Sequence, residues 1–163
     1  MTVAASLVVG LSGSTTKAHT SAGISNADDR SAFLARRRLV DVIIIGGNTA
    51  RREPYATTPV ALVVLSRSPE NPVATNPLAH IWNCSPAQAI ERARIEFGPK
   101  ILIEAGVGLL TELLAQKLVD ELYVTQTQAR DGDNALDWMS MLAQFQVVEK
   151  SAVGETNFFH AHN

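Results

Sequence analysis

The chain has 163 residues, of which 46% are hydrophobic and 18% charged, and its formal net charge is −2 at pH 7. This length suffices for one domain with a buried core, and the nearly neutral charge argues against nucleic acid or an anionic membrane surface as the main partner. The single cysteine, Cys84, excludes an internal disulfide framework, and no apolar run reaches the roughly 18 residues of a membrane span. We therefore expect one cytoplasmic domain over residues 1–163.

The amino-terminal segment is apolar but differs from a signal peptide. It lacks a basic n-region, and its apolar stretch is short and rich in valine, which favours a strand at residues 6–11. A long loop rich in Gly, Ser and Thr follows over residues 12–23. Either Ser25 or Asn26 can cap the next helix, whose first turn is acidic and whose last turn is basic, as the helix dipole favours.

The next segment is the one most indicative of a ligand site. Residues 42–45 are consecutive apolar β-formers, which is typical of a central parallel strand buried on both faces. Gly46 and Gly47 follow directly, and a helix would begin at Asn48 and Thr49. Glycines let a backbone approach a ligand closely, and the first turn of a helix offers free N–H groups to an anion. The sequence predicts a phosphate-bearing cofactor here; a tight turn that binds nothing is the alternative.

The rest of the chain alternates strands and helices. Ser85 and Pro86 form the cap and the first position of a predicted helix that ends at residue 96. The alternation indicates an α/β fold with a mainly parallel central sheet, helices on both faces and an antiparallel C-terminal hairpin at the edge. The remaining predicted elements are strands at 60–65, 80–83, 100–104 and 119–126, a helix at 109–116, and a hairpin of 145–150 with 157–162 that turns near Gly154.

Three predicted strand ends would meet in one crevice, because the carboxyl ends of parallel strands lie at the same edge of a sheet. Besides the Gly46–Gly47 turn, these are Ser66 with Arg67 and the glycine loop that begins at Glu104. A hydroxyl and a fixed cation suit a phosphate monoester, so Arg67 would favour a 2′-phosphorylated dinucleotide; a solvated surface arginine is the alternative. Glu104 would accept hydrogen bonds from a ligand or act as a helix-start carboxylate.

Standard catalytic fingerprints are absent. Residues 106–111 carry Thr where the Rossmann pattern requires its last Gly or Ala, there is no P-loop lysine, and residues 10–14 end in Ser where a nucleophile elbow requires Gly. His160 and His162 would share a strand face, but they lie near the chain end, so we predict no metal site.

Two extended segments carry motifs in a distinctive order and spacing: residues 23–30, Arg37 four positions before Asp41, and 41–50, then 101–106, Leu113, Leu114 and 118–122. In this order and spacing, over roughly residues 6–126, the chain resembles the reductase domain of riboflavin biosynthesis. The resemblance implies a dihydrofolate-reductase-like fold, an NADPH cofactor and a homodimer, and without a deaminase segment we expect only the reductase step.

In that family a ribosylamino-pyrimidine receives hydride at C1′ of its ribose, in the imine form, to give a ribitylamino-pyrimidine. Hydride transfer requires mainly positioning and a water-poor pocket, so no triad or metal is needed. If the family's residue roles are carried over to this chain, Gly46, Gly47 and Thr49 would hold the pyrophosphate or nicotinamide side of the cofactor. Ser66, joined by Arg67, would bind the 2′-phosphate. The remaining phosphates would lie against Ala105, Gly106, Val107, Gly108 and Leu109, while Ser25, Asn26 and Glu104 fall on the substrate side.

The chain departs from the family where the substrate would bind. The family's Ser-x-Asp-Gly after the first strand is replaced by residues 12–17, which offer only Lys17 as a shifted cation. The family's Asp-Asp-Pro-x-Leu-x-x-Arg motif, which holds the substrate phosphate, is reduced in this chain to residues 52–55. Arg51 or Arg52 would therefore supply the cation for that phosphate. Two alternatives therefore stand beside the pyrimidine reductase: a same-fold NADPH reductase with another small-molecule substrate, and a non-catalytic nucleotide-binding protein.

Overall fold

The computed structural model of the protein describes residues 1–163. All eight strands join one sheet. In chain order the elements are β1 (Thr2–Val9), α1 (Ala27–Arg37), β2 (Val42–Gly46), α2 (Gly47–Arg52), β3 (Ala61–Leu65), β4 (Ala79–Trp82), α3 (Pro86–Glu96), β5 (Lys100–Ile103), α4 (Val107–Ala115), β6 (Glu121–Gln126), α5 (Trp138–Leu142), β7 (Val147–Val153) and β8 (Thr156–His162).

The strands lie in the order β4-β3-β2-β5-β1-β6-β8-β7. β1 to β6 are parallel wherever they pair, and β8 is antiparallel to both of its neighbours, β6 and β7. The predicted α/β class, with a mainly parallel sheet and an antiparallel C-terminal hairpin at its edge, is confirmed. Gly154 lies in the hairpin turn with a φ of 57°, a conformation that favours glycine.

β2 is buried on both faces, as its continuous apolar run predicts. Ile43, Ile44 and Ile45 are each at most 1% exposed. Ile44 belongs to a large core with residues of α3, α4 and α5, whereas Ile43 and Ile45 belong to a second core on the opposite face, with Ala50 of α2. Helices therefore cover both faces of the sheet, which leaves ligand access at the strand ends.

Local capping chemistry explains where two helices begin. The side chain of Asn26, rather than that of Ser25, caps α1 by accepting a hydrogen bond from the backbone N–H of Asp29. α3 begins as predicted: Ser85 is the N-cap before Pro86, and it forms a reciprocal capping box with Gln88. None of the five helices is long and apolar enough to cross a membrane.

Several boundaries differ from the sequence prediction. β1 spans Thr2–Val9 rather than residues 6–11, because Thr2–Ala5 pair with β5 and Ala4–Val9 pair with β6. α4 begins at Val107, two residues earlier than expected, and β6 begins at Glu121, two residues later. α5 is not among the predicted elements, although the cap at Asp137 and the helical spacing of the buried Trp138, Met141 and Leu142 are signals for it.

Candidate active site

A cleft of about 1300 Å³ opens beside the carboxyl ends of β2 and β5 and is flanked by α1. Its position agrees with the crevice predicted from the strand ends, because parallel strands bring their following loops together. Most of the predicted site residues line it: Ser25, Asn26, Gly46, Gly47, Thr49, Arg52, Glu104, Ala105, Gly106, Val107, Gly108 and Leu109.

Three predicted residues lie outside this lining. The Arg51 guanidinium hydrogen-bonds to the side chain of Asn48. Arg67 is exposed at the end of β3, and the Ser66 hydroxyl accepts a hydrogen bond from the backbone N–H of Ser68 at 3.1 Å. Ser66 nevertheless borders the cleft, since its Oγ would lie 3.2 Å from a Cβ placed on Gly47. A ligand that extends from the cleft past Gly47 would therefore meet Ser66, and the roles of these residues stay predictions.

The start of α4 presents free donors to the cleft. Gly106 is its N-cap and makes no side-chain cap hydrogen bond, so the first N–H groups of this nine-residue helix have no side-chain acceptor at the cap. α2 likewise begins without a side-chain cap, at Gly46. Because both cap residues line the cleft, the helix dipoles place partial positive charge at its wall, which suits an anionic group.

Three glycines at this wall are not required by the fold. Gly46 and Gly106 have ordinary φ values of −88° and −67°. A Cβ on Gly46 would approach Leu109 only to 3.8 Å, one on Gly106 would approach Thr49 to 3.6 Å, and one on Gly108 would meet nothing within 4 Å. Because glycine inside a helix is less favourable than alanine by roughly 0.5–1 kcal/mol, Gly108 weakens α4 without a packing reason. These glycines keep space open beside the free N–H groups.

A buried ion pair forms the floor of the cleft. Arg37 of α1 donates two hydrogen bonds to Glu104, Nε to Oε1 at 2.8 Å and Nη2 to Oε2 at 2.6 Å. The hydroxyl of Tyr55 donates to Oε2 at 2.7 Å, and all three residues are buried. The Glu104 carboxylate is thus bound by Arg37 and Tyr55 rather than acting as a helix-start carboxylate. Direct contact of Glu104 with a ligand stays a prediction. Neither the pairing nor the role of Tyr55 has a local sequence signal.

The ion pair determines the charges at this floor. Burial opposes the charge of Arg37, but the hydrogen bond and charge of Glu104 outweigh it, so the pKa of Arg37 is raised. Burial, reinforced by the negative charge of Glu104, raises the pKa of Tyr55 well above its ordinary value. Tyr55 therefore stays protonated and donates to Glu104.

The rim of the cleft carries unpaired cations. Arg30, Arg38 and Arg52 line the cleft and are exposed, and none of them makes a salt bridge or a side-chain hydrogen bond within the protein. The acids nearby are occupied instead: Asp29 accepts from the Ser25 hydroxyl at 2.6 Å, and Glu53 accepts from the backbone of Ser21 at 2.6 Å. Guanidinium groups without protein partners favour an anionic ligand such as a phosphate.

The two tyrosines provide a direct test of the electrostatics. Burial and the hydrogen bond to Glu121 raise the pKa of Tyr123 to about 12. Since this folded-state pKa exceeds the roughly 10 of an unfolded tyrosine, its contribution to stability is complete below pH 10 and is lost as pH rises towards 12. We expect absorbance at 295 nm to show no tyrosinate near pH 10 and one ionisation near pH 12, and Tyr123→Phe to remove that step. A full tyrosinate signal at pH 10 would contradict the burial of Tyr55 and the half-buried, hydrogen-bonded position of Tyr123.

The family and the solved structures agree with this architecture. The model of the RibD C-terminal domain matches residues 1–129. A Thermotoga maritima diaminohydroxyphosphoribosylaminopyrimidine deaminase/5-amino-6-(5-phosphoribosylamino)uracil reductase superposes with a TM-score of 0.79 at 16% identity, over 99% of this chain and 56% of its own. The chain thus spans about half the length of that protein. No curated protein matches the sequence significantly.

Two shorter proteins are similar over nearly their whole length. A pyrimidine reductase-like protein from Corynebacterium diphtheriae has a TM-score of 0.72 at 16% identity, over 99% of this chain and 91% of its own. Dihydrofolate reductase from Enterococcus faecalis, complexed with NADP(H) and RAB-propyl, has a TM-score of 0.67 at 19% identity. The match covers 99% of this chain and 95% of that protein's chain. These likenesses confirm the dihydrofolate-reductase-like fold. By the match over residues 1–129, the chain belongs to the RibD C-terminal domain family.

Proposed function

We propose that this protein is an NADPH-dependent reductase that transfers hydride to C1′ of a ribosylamino-pyrimidine, the reaction of 5-amino-6-(5-phosphoribosylamino)uracil reductase. Membership of the RibD family supports an oxidoreductase of the riboflavin pathway. The single observation that carries the cofactor assignment is the cleft wall, where Gly46, Gly106 and Gly108 keep open a space that the protein does not fill. Free N–H groups of α4 border that space, which is how proteins receive a pyrophosphate.

The residues of the cleft fit such a cofactor. NADPH, when bound, supplies the hydride, so the protein must bind, orient and exclude water. Gly46, Gly47 and Thr49 would hold the pyrophosphate or nicotinamide side, and the loop from Ala105 to Leu109 the other phosphates. Ser66 and Arg67 would bind the 2′-phosphate outside the main cleft. The dihydrofolate reductase with this fold was solved with NADP(H), which supports the same class of cofactor.

The exposed cations and the buried Arg37–Glu104–Tyr55 unit support a substrate side in this cleft. Arg30, Arg38 and Arg52 line the rim without protein partners, as expected if they bind the phosphate of a phosphoribosyl group. The Arg37–Glu104–Tyr55 unit lines the same cleft as this rim and the glycine wall, so it would help to position the reacting ribose. Phe33, which packs against the Arg37 guanidinium at 4.2 Å, also lines the cleft and would help exclude water.

The preference for NADPH over NADH tests the cofactor assignment. We expect Arg67→Ala to weaken NADPH binding about 10-fold, since a hydrogen bond to a charged group contributes about 1.5–3 kcal/mol, and to leave NADH binding unchanged. Fluorescence titration of both dinucleotides measures this. Arg94→Ala, which removes an exposed arginine of α3, is the matched control. Equal loss for both dinucleotides would assign Arg67 to another role.

The main alternative to the ribosylamino-pyrimidine as substrate is a different small molecule. Residues 12–17 lack the family's Asp-Gly and residues 52–55 lack its phosphate-holding motif, which favours a same-fold NADPH reductase with another small molecule. Oxidation of NADPH at 340 nm in the presence of the ribosylamino-pyrimidine phosphate separates the two. If NADPH binds and this substrate is not reduced, the alternative is correct; if neither dinucleotide binds, the protein is not a nicotinamide enzyme and a non-catalytic role follows.

We also propose a homodimer. β7 is an edge strand, and every one of its residues is exposed. Its three valines, Val147, Val148 and Val153, are 42%, 45% and 54% exposed. Unpaired, partly apolar edge strands are surfaces that a second chain can cover.

A further inference from the structure

A cluster of histidines and carboxylates lies on the C-terminal hairpin, away from the cleft. His160 and His162 lie two residues apart on β8, with Glu149 of β7 and Tyr123 of β6 paired opposite His160. One ligand atom from each of Glu149, His160 and His162 lies within 4.8 Å of the others. From the sequence we expect no metal here because these residues are near the chain end, but pairing of β8 with two strands holds them in a defined arrangement.

His160 is held in one orientation by its neighbours. Its ring stacks on Tyr123 with 4.3 Å between centroids and 4° between planes. Its Nε2 lies 3.1 Å from Oε2 of Glu121, which also accepts the Tyr123 hydroxyl at 2.7 Å. A carboxylate only accepts hydrogen bonds, so Nε2 carries the proton. A carboxylate on one ring nitrogen of histidine is the arrangement that orients the other nitrogen for metal binding.

The other nitrogen of His160 faces a second acceptor. Nδ1 lies 3.5 Å from Oε2 of Glu149. When Nε2 donates to Glu121 and Nδ1 carries no proton, Nδ1 and Oε2 of Glu149 are two acceptors that a metal cation can bridge. His162, whose ring centroid is 5.1 Å from that of His160, adds a third ligand atom on the same side.

We propose that Glu149, His160 and His162 form a binding site for a divalent transition metal, Zn²⁺ by its ligand set, with Glu121 orienting His160. Two imidazoles and one carboxylate match the ligands that Zn²⁺ takes in proteins, with water completing the tetrahedron. The metal joins edge strand β7 to β8, and it lies outside the cleft, so this site is independent of the proposed reductase activity.

Titration calorimetry with Zn²⁺ on the intact protein tests the site. We expect one equivalent to bind, and Co²⁺ to give the intense visible absorption of tetrahedral coordination. Glu149→Gln and His162→Gln each remove one ligand and should weaken Zn²⁺ binding more than 10-fold. Glu121→Gln should weaken it by about 10-fold, the lower end for loss of a residue that orients a ligand. His80→Gln, on β4, is the matched control and should bind Zn²⁺ as the wild type does.

The alternative is that His160 carries a proton on each ring nitrogen, so that Nε2 donates to Glu121 and Nδ1 donates to Glu149 without a metal. In that case the wild type shows no saturable Zn²⁺ binding in the micromolar range, and the proposal is wrong. Binding that persists unchanged in both Glu149→Gln and His162→Gln would also overturn it, because the metal would then lie elsewhere. Glu149 is exposed, so its variant tests the site without disturbing the fold; circular dichroism checks this for all variants.

Discussion

Replacing Arg37 with Met should lower the free energy of unfolding by about 3–5 kcal/mol, because it leaves the carboxylate of Glu104 buried without its cation. Both side chains are less than a tenth exposed, and the pair is bidentate. Only the Tyr55 hydroxyl would still donate to Glu104, which is too little to compensate a buried charge. Urea unfolding followed by circular dichroism measures the change.

Two further variants separate the ion pair from simple packing. Arg94→Met breaks an exposed pair with Glu91 and should cost about 0–1 kcal/mol. The double variant Arg37→Met/Glu104→Leu removes both charges and should recover much of the lost stability, since apolar residues of similar volume often replace a buried pair without loss. If Arg37→Met costs no more than Arg94→Met, the pair is not the stabilising feature of the cleft floor. The double variant should still lose activity, because its floor no longer carries the polar triad.

Gly108→Ala and Gly106→Ala should abolish most NADPH binding while leaving the protein folded. A Cβ at Gly108 enters open space, so the stability of α4 should rise by roughly 0.5–1 kcal/mol, as for alanine over glycine in a helix. The same Cβ occupies space that the proposed phosphates need, and a loss of at least 10-fold in affinity, about 1.4 kcal/mol, is expected. Thermal unfolding and NADPH titration on the same samples measure the two effects.

The control for these variants lies on the same helix. Ala115→Val adds carbon at the exposed C-terminal end of α4, away from the cleft, and should not change NADPH affinity. Wild-type affinity in Gly108→Ala would show that no ligand approaches the start of α4, which would contradict the cofactor assignment. A parallel loss in Ala115→Val would instead indicate a general effect on the helix.

The glycine wall of the cleft could be predicted from sequence because its signals are local. An apolar run such as residues 42–45 indicates burial on both faces, and the strand order then brings its glycine turn to the loop at Gly106. The cationic rim of the cleft could not be predicted in the same way. The rim cations come from separate parts of the chain, and their lack of partners is a property of the folded surface alone.

The sequence by itself determined the α/β class, the buried strand β2, the start of α3 at Pro86 and the C-terminal hairpin, because periodicity, capping and turn chemistry act over a few residues. Only the tertiary structure decided the partner of Glu104, which is 67 residues from Arg37 in the chain. It alone also decided that His160 lies between two carboxylates from other strands. Such contacts depend on strand order and register, which bring together residues that are distant in the chain, so no local sequence pattern predicts them.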